Sequence, residues 1–570
     1  MQLQFFSSAR ICCNLTQARK GNQFDLCPSM PYNKAMERNL PIGMQDFASI
    51  RKEGFCYVDK TALVHRLATG SGRAFFMSRP RRFGKSLLCS TMEAFFEGHR
   101  ELFGEIAGFP ELAINTLEWE WERHPVIRLD LNVGDYNDGT DFLDSTLSNA
   151  LGNVASRHGL ELRGQYTSQK FTNLVMDMYE RFNKQVAVII DEYDKPLLDT
   201  MMDVPLHTTI RNKLKGFYGI LKPSDRYLRF VFLTGVTKFS HVSIFSDLNH
   251  LVDLTLDHRY ADICGITQEE LEANFEPEIE SISKETGRNR KEYLEKLRRF
   301  YNGYRFSKKP IKVYNPFGLL SHFESGEFSS YWYETGTPTF LVKLIANQKI
   351  NIIDLNNMYV GDRDFRKYDI ENMRAEPLLY QSGYLTIKDH DGESKLYTLD
   401  FPNVEVRSCF ASSLVDQYLQ SSNSNETAGG LNTRLLQALL KGDVEGAINA
   451  LRGFFAAIPY DIIRESENYY ETAVHLIFTM LGFNCRSEVR IAAGRIDTLV
   501  ETKNFVYCFE FKLNKTAEEA LAQIDTKEYL LPWEGCGKKL FKVGVGFDHG
   551  KRNIGSWETR QTLELTSTPG

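Results

Sequence analysis

Short apolar runs alternate with helix-length segments from Arg73 to about Asp257. The runs are Ala74–Met77, Val126–Leu129, Val186–Ile190, Phe230–Leu233 and Leu251–Leu254. Runs this short and continuous, spaced by helical patterns, predict parallel strands buried under crossover helices. Such a sheet binds its ligands at the carboxyl ends of the strands. Residues 260–380 read as mostly helical. A hairpin is expected over 383–400, with its turn at Asp391-Gly392 between two alternating segments. Helices follow to about 465, broken by a polar linker at Ser421–Gly430. The last hundred residues change period again and read helix, three strands, helix, strand.

Composition narrows this picture only modestly. At 570 residues the chain is too long for one core, and two to four domains are expected. Hydrophobic residues at 42% and charged residues at 25% exclude a mainly disordered chain. Lys and Arg number 68 against 74 Asp and Glu, a net charge of −6. That excludes a uniformly basic nucleic-acid coat but leaves room for a local basic groove. No run approaches the roughly 20 apolar residues of a membrane span. The ten Cys are scattered without a CxxC pair, so neither a zinc knuckle nor a disulfide framework is expected, and a reducing cytoplasm is the simplest compartment. Residues 1–38 lack a clear period, do not read as a signal peptide, and are expected to form a loosely ordered extension.

The first chemical motif follows the strand at 74–77. There Ser78-Arg79-Pro80-Arg81-Arg82-Phe83-Gly84-Lys85-Ser86-Leu87 opens a helix. Gly-Lys-Ser between a strand and a helix is the working end of a phosphate loop. Gly84 permits close backbone approach, and the helix N-terminus supplies N–H donors. Lys85 can reach β- and γ-phosphates, and Ser86 can ligate Mg²⁺. The position five before Gly84 is Arg79 where such loops usually have glycine. A second motif, Val186-Ala187-Val188-Ile189-Ile190-Asp191-Glu192, puts two acids at the carboxyl end of a buried strand. Asp191 is expected to hold Mg²⁺ and Glu192 to orient or deprotonate the attacking water. A strand between the two motifs suits the additional-strand branch of P-loop proteins, to which AAA-type ATPases belong. Thr234, Thr237 and Lys238, at the tip of a further strand, are each eligible to sense a γ-phosphate or simply to cap the strand. Arg211, Arg226, Arg229 and Arg259 are all eligible transition-state arginines. The expected nucleotide-binding set is Arg79, Arg82, Phe83, Gly84, Lys85, Ser86, Leu87, Asp191 and Thr234.

A third constellation lies near the C-terminus. Gly494-Arg495-Ile496-Asp497 is followed, after a short turn, by Phe509-Glu510-Phe511-Lys512. Alternation along a strand sends Glu510 and Lys512 to one face and Phe509 and Phe511 to the other. Asp497 on the preceding strand can come alongside Glu510. Two carboxylates suit a Mg²⁺ ion, and Lys512 suits a nucleophilic water. The preceding helix carries Glu467, Glu471 and His475 on one face, and Glu471 can add another acid. The following helix carries Gln523, available to the site or to DNA.

Asp59-Lys60-Thr61, the Arg-Pro-Arg-Arg-Phe-Gly-Lys-Ser loop at 79–86, Ile189–Pro196, Thr234–Ser240, Tyr301-Asn302-Gly303-Tyr304 and Tyr314-Asn315-Pro316-Phe317 together resemble a bacterial AAA-ATPase-like family. The segments at 494–497 and 509–512 resemble the PD-(D/E)xK nuclease superfamily. The resemblance implies an α/β chain: a P-loop NTPase sheet of the AAA type at 39–260, a mainly helical middle region at 261–465, and a PD-(D/E)xK nuclease-like α/β domain at 466–560. It also implies ATP and Mg²⁺ as cofactors, nucleic acid as partner with DNA before RNA, no membrane, and room for homo-oligomers. Two functions follow as expectations. One is an ATPase coupled to a Mg²⁺-dependent nuclease. The other is a nucleotide-switched regulatory protein whose nuclease fold only binds.

Overall fold

A computed structural model describes residues 39–238, 250–336, 355, 358–361, 375–420, 427–457, 467–481, 485–491, 494–548 and 550–562. The extension at 1–38 and most of the expected linker at 421–430 lie outside the described residues, and 428–430 open a helix instead.

The first sheet has five strands: β1 (Ala74–Ser78), β2 (Val126–Asp130), β3 (Val186–Asp191), β4 (Leu228–Gly235) and β5 (Val252–Asp253). All are parallel, in the order β2-β3-β4-β1-β5. Strand β4 therefore lies between the strand that feeds the phosphate loop and the strand that ends in Asp191, which is the additional-strand arrangement expected. The continuous apolar runs have a direct cause. Ala74 and Phe76 face one core with Val186, Val188 and Ile190, while Phe75 and Met77 face another with Ala187 and Ile189. Both faces are covered, so alternation disappears. The helices Thr140–Arg157, Thr167–Phe182 and Val204–Gly219 cover the first face, and Thr61–Thr69 and Lys85–Phe96 cover the second.

The middle region holds two small antiparallel units. One pairs β6 (Tyr304–Arg305) with β7 (Lys312–Val313). The other orders β8 (Met358–Gly361), β9 (Thr386–Asp391) and β10 (Leu396–Asp400) as β8-β10-β9. The expected hairpin is therefore present, with a third strand added and its first strand starting at Thr386. Gly383 and Tyr384 instead finish the helix Ala375–Gln381, where the Tyr384 N–H donates to the Leu379 carbonyl at 2.8 Å.

The last sheet is β11 (Cys485–Ile491), β12 (Gly494–Glu501), β13 (Phe505–Leu513), β14 (Lys539–Asp548) and β15 (Asn553–Thr562), in sequential order. Strands β13 and β14 are parallel, joined over the helix Ala517–Thr526; the other pairs are antiparallel. Strand β15 was not expected, because Asn553–Thr562 has no period-two apolar pattern.

This sheet is covered on both faces. Val506 and Cys508 pack with Leu521 and Ile524 of the crossover helix. Tyr507, Phe509 and Phe511 face the other way, toward the helix Glu467–Met480, whose Phe478 ring lies 5.0 Å from Phe509. The helices Ala428–Lys441 and Val444–Ala457 extend this second cover. The Tyr507 hydroxyl donates to the Leu439 carbonyl at 2.6 Å, Phe455 meets Phe547 at 5.0 Å, and Asn553 Nδ2 donates to the Arg452 carbonyl at 3.1 Å. Helices placed by the sequence in the middle region thus complete the C-terminal core.

A fragment starting at residue 460 loses that cover and leaves Tyr507, Phe541 and Phe547 wet, at roughly 1.5–3 kcal/mol for each large side chain. A fragment from Thr427 to the end is expected to be monomeric with one cooperative thermal transition, and one from 460 to aggregate or melt broadly. Equal behaviour in calorimetry and size-exclusion chromatography would show that the two helices are dispensable.

Candidate functional site

The phosphate loop turns sharply out of β1. Arg82 and Gly84 both adopt left-handed backbone, with φ of 64° and 87°. Gly84 caps the helix Lys85–Phe96, and a Cβ placed on it would meet nothing within 4 Å, so its backbone opens onto free space. Lys85, only 3% exposed, lies 3.0 Å from Glu192 Oε1 and donates to the Pro80 carbonyl at 3.2 Å. Burial works against the Lys85 charge, but Glu192 and Asp191 outweigh it and hold the ammonium above its usual value.

Asp191 is fully buried. One oxygen accepts the Glu192 N–H at 3.0 Å and Oδ2 has no hydrogen-bond partner, while the nearby Ser86 hydroxyl favours the charged form. Burial first, then the neighbouring Glu192 charge, push Asp191 up to about 6. Glu192 itself has left-handed backbone, φ 50°. The four residues Lys85, Ser86, Asp191 and Glu192 therefore lie together at one end of the sheet.

Three other expected nucleotide residues are turned elsewhere. Arg79 is buried, and its guanidinium donates to the carbonyls of Ser78, Thr255 and Tyr260 at 2.9, 3.0 and 3.1 Å. It also covers the Phe306 ring at 4.4 Å. A buried cation takes the nearest carbonyls, so Arg79 anchors the loop from beneath. Phe83 packs edge-on against Tyr304 and Phe306. Thr234 spends its hydroxyl on the Met77 carbonyl at 2.9 Å, as a link between strands. Of the other eligible sensors, Thr237 bonds Asp194 and Lys238 pairs with Asp253. Among the eligible arginines, Arg226 lies over Tyr227, Arg229 donates to the Ala68 carbonyl and Arg259 pairs with Asp257.

Residues from the middle region close the loop. Trp332 Nε1 donates to the Arg81 carbonyl at 2.9 Å, and Asn315 Nδ2 to the Arg82 carbonyl at 3.3 Å. A Cβ on Gly383 would come within 2.8 Å of Pro80, so only glycine admits this approach. The exposed Arg82 guanidinium sits 4.8 Å above the Phe317 ring. Met44, Arg82, Lys85, Asn132, Glu192 and Phe317 are among the residues around a cavity of 350 Å³. A narrower slot of 100 Å³ adjoins it, with Val58, Leu87, Ile263, Phe275 and Leu320 in its apolar wall. The sequence marked Tyr314–Phe317 as a motif without assigning it here. Asp194 was also overlooked. It accepts from the Thr237 N–H and hydroxyl, both at 2.6 Å, and ties the tip of β3 to that of β4.

In the C-terminal sheet the last registered pair of β12 and β13 is Thr498 with Phe509. Just beyond it, Asp497 Oδ2 accepts the Phe511 N–H at 3.0 Å. Glu510 is 0% exposed, because its face is covered by the crossover helix rather than open to water. Lys512 Nζ donates to Glu510 Oε1 at 2.8 Å, while Glu510 Oε2 has no hydrogen-bond partner. Burial first, then the Asp497 charge, push Glu510 up to about 7 against the opposing pull of Lys512 and Arg495. Asp497, Glu510 and Lys512 thus converge. The side chains of Glu467 and Glu471 lie outside the described residues. His475 is buried and its imidazole is pushed down to about 4 by that burial. Gln523 Nε2 donates to the Tyr529 hydroxyl at 3.3 Å. Among the described residues, no three acid, His or Cys side chains gather as a metal cluster.

Both sites suit the groups the fold implies. The partnerless Asp191 oxygen beside Ser86, with the open Gly84 backbone, fits a Mg²⁺-bound nucleoside triphosphate. The partnerless Glu510 oxygen beside Asp497 fits a divalent cation that completes its shell elsewhere.

A buried parallel sheet with a phosphate loop, followed by a mixed sheet bearing paired carboxylates and a lysine, defines a P-loop ATPase-like protein with a nuclease-like domain. Family models agree: residues 41–245 match a predicted AAA-ATPase and residues 465–557 the PD-(D/E)XK nuclease superfamily. The chain belongs to the family that combines these two domains. It is 34% identical over 528 residues to an "uncharacterized protein in vnfD 5′ region" of Azotobacter chroococcum mcd 1, covering 91% of this chain and 98% of that one. Among solved structures, the ORC2 protein of Aeropyrum pernix in ADPNP and ADP complexes is 12% identical. That match covers 60% of this chain and 87% of that one at a TM-score of 0.24, too low to carry an argument.

Glu510 generates a stability prediction. A carboxyl raised by folding from 4.5 to about 7 costs nothing while protonated, and its penalty grows as pH rises through that window. Glu510→Gln keeps an acceptor for Lys512 and removes the charge. In chelator, it is expected to raise the thermal midpoint by a few degrees at pH 8 and to leave it unchanged at pH 4.5. A lower midpoint at pH 8 would show that the ionised carboxylate is stabilising.

Proposed function

We propose that the protein binds and hydrolyses ATP at the phosphate loop and couples this to Mg²⁺-dependent cleavage of nucleic-acid phosphodiesters, DNA before RNA, in the cytoplasm. The observation that carries the reading is the Asp497–Glu510–Lys512 group, where one oxygen of the buried Glu510 carboxylate lacks any hydrogen-bond partner. Leaving such an oxygen unsatisfied is costly unless a ligand claims it.

At the first site Lys85 takes the β- and γ-phosphates, Ser86 and Asp191 hold Mg²⁺, and Glu192 prepares the water. The apolar slot lined by Val58, Leu87 and Ile263 receives the base. Phosphate would draw Lys85 away from Glu192, freeing that carboxylate for water. At the second site Asp497 and Glu510 hold Mg²⁺, which when bound neutralises phosphate charge and makes water a better nucleophile. Lys512 positions that water. Among the described residues no helix is long and apolar enough to cross a membrane.

Lys85→Ala is expected to abolish ATP binding, and Glu192→Gln to keep binding while losing turnover. Asp497→Ala is expected to eliminate Mg²⁺-dependent cleavage with ATP hydrolysis nearly intact. Lys512→Ala is expected to slow cleavage by ~10²–10⁴-fold. The assay uses plasmid, single-stranded DNA and RNA, with and without ATP. No cleavage by the parent on any substrate would favour the other reading, a nucleotide-switched protein whose nuclease fold only binds.

A further inference from the structure

A basic cavity lies in the middle region, outside both segments matched by family models. It encloses 550 Å³ and is lined by Arg298, Arg299, Lys312 and Lys388, with Gln268 and the carboxylate of Glu269. The four cations come from three separate elements. Arg298 and Arg299 end the helix Arg290–Tyr301, Lys312 is on β7, and Lys388 is on β9. They are therefore gathered by the fold and are not one solvated helix face. The floor is set by the Tyr301–Tyr304 motif, whose Asn302 and Gly303 line the cavity. Gly303 lies so close to Pro402 that a Cβ would fall 2.1 Å from its carbonyl oxygen.

Nearby carboxylates are committed elsewhere: Glu272 pairs with Arg290, and Asp400 with Arg407. Lys388 donates to the Pro402 carbonyl at 3.2 Å, and its ammonium is held down to about 8 by burial, against the pull of Asp400 and with Arg407 and Lys312 adding repulsion. Four cations against the one lining carboxylate, Glu269, leave an excess of like charge that repels, and an anion relieves it. Two guanidinium forks and two ammoniums suit phosphate oxygens. Among the described residues no aromatic ring lines the cavity to stack a base. Arg298, Arg299 and Lys312 are exposed, which suits a passing strand better than an enclosed small molecule. The helix that ends in these arginines packs on Val404–Gln420, which packs on Glu467–Met480 beside the nuclease sheet.

We propose that this cavity is a sequence-independent docking site for the phosphodiester backbone of nucleic acid, through Arg298, Arg299, Lys312 and Lys388. The inference rests on reading the chain as a nucleic-acid enzyme, and it is tested by binding alone. Fluorescence anisotropy of labelled DNA and RNA of one sequence, with the full chain in EDTA, measures affinity without cleavage. The double variant Arg298→Ala/Arg299→Ala alters two exposed side chains. It is expected to weaken binding about tenfold or more and to lower the slope of log K against log salt by about 2, with thermal midpoint and ATP affinity unchanged. Adding Lys312→Ala extends the loss.

Parent-like affinity and slope in the double variant overturn the inference. So does an equal loss in Lys284→Ala/Lys291→Ala, which removes the same charge from exposed positions outside the cavity, and so does a parent that binds neither DNA nor RNA. If inorganic tripolyphosphate loses affinity in the variant while both nucleic acids do not, the cavity holds small anions and the inference falls. A parent that binds through these residues but never cleaves leaves the inference standing and removes the nuclease reading. A parent that cleaves while the variant binds normally does the reverse.

Discussion

A guanidinium buried beneath the phosphate loop constrains everything above it. Arg79 stands where phosphate loops usually carry a glycine. It is desolvated, and three carbonyls from Ser78, Thr255 and Tyr260 surround it. A charge taken out of water must keep such partners, since losing them costs several kcal/mol. The loop cannot shift without breaking them. Arg79 thereby welds β1 to the chain that leaves β5, and the left-handed residues Arg82 and Gly84 inherit fixed positions. The missing glycine is a change of anchoring that leaves the Gly-Lys-Ser end intact.

That anchoring is shared with the middle region. Trp332 and Asn315 hold the carbonyls of Arg81 and Arg82, and Gly383 packs on Pro80. The Trp332 N–H donates to Glu405 Oε1 at 2.8 Å, at the start of the helix Val404–Gln420. That helix packs against Glu467–Met480, which covers the nuclease sheet through Phe478. The two sites are thus joined by a continuous series of hydrogen bonds and packed helices. Close packing transmits strain, because side chains have no free volume to absorb it. A nucleotide that moved Phe317 or Arg82 would act on the same loop that Trp332 grips.

What the sequence revealed depended on range. The parallel strands were legible because burial on both faces leaves continuous apolar runs. Lys85, Asp191 and Glu192 were legible because strand ends in one sheet meet at one edge. Asp497 and Glu510 were legible through strand alternation across a short turn. Arg79 and Thr234 were misplaced because their partners, Thr255, Tyr260 and Met77, are set by tertiary packing. The burial of Glu510 was not legible, since period two gives its direction but not the helix that covers it. The helices at 428–457 read as middle region because their partners, Phe547 and Asn553, come a hundred residues later. The basic cavity was invisible for the same reason: its cations are ordinary until three elements bring them together.

The two carboxylate sites share one electrostatic design. Asp191 is held near 6 and Glu510 near 7, each chiefly by burial and next by a neighbouring acid. Each has a lysine at hand, Lys85 within reach of Glu192 and Lys512 bonded to Glu510, and each keeps one oxygen without a hydrogen bond. One ammonium offsets only part of the repulsion between a buried carboxylate and its partly exposed neighbour. On the proposed reading a divalent cation would supply the remaining charge and claim the idle oxygen. Purely structural ion pairs would have no use for that oxygen, and burying it would only cost stability. The proposed function gives that oxygen a use at both places, as a ligand for the metal of a phosphate site on one sheet and of a phosphodiester site on the other.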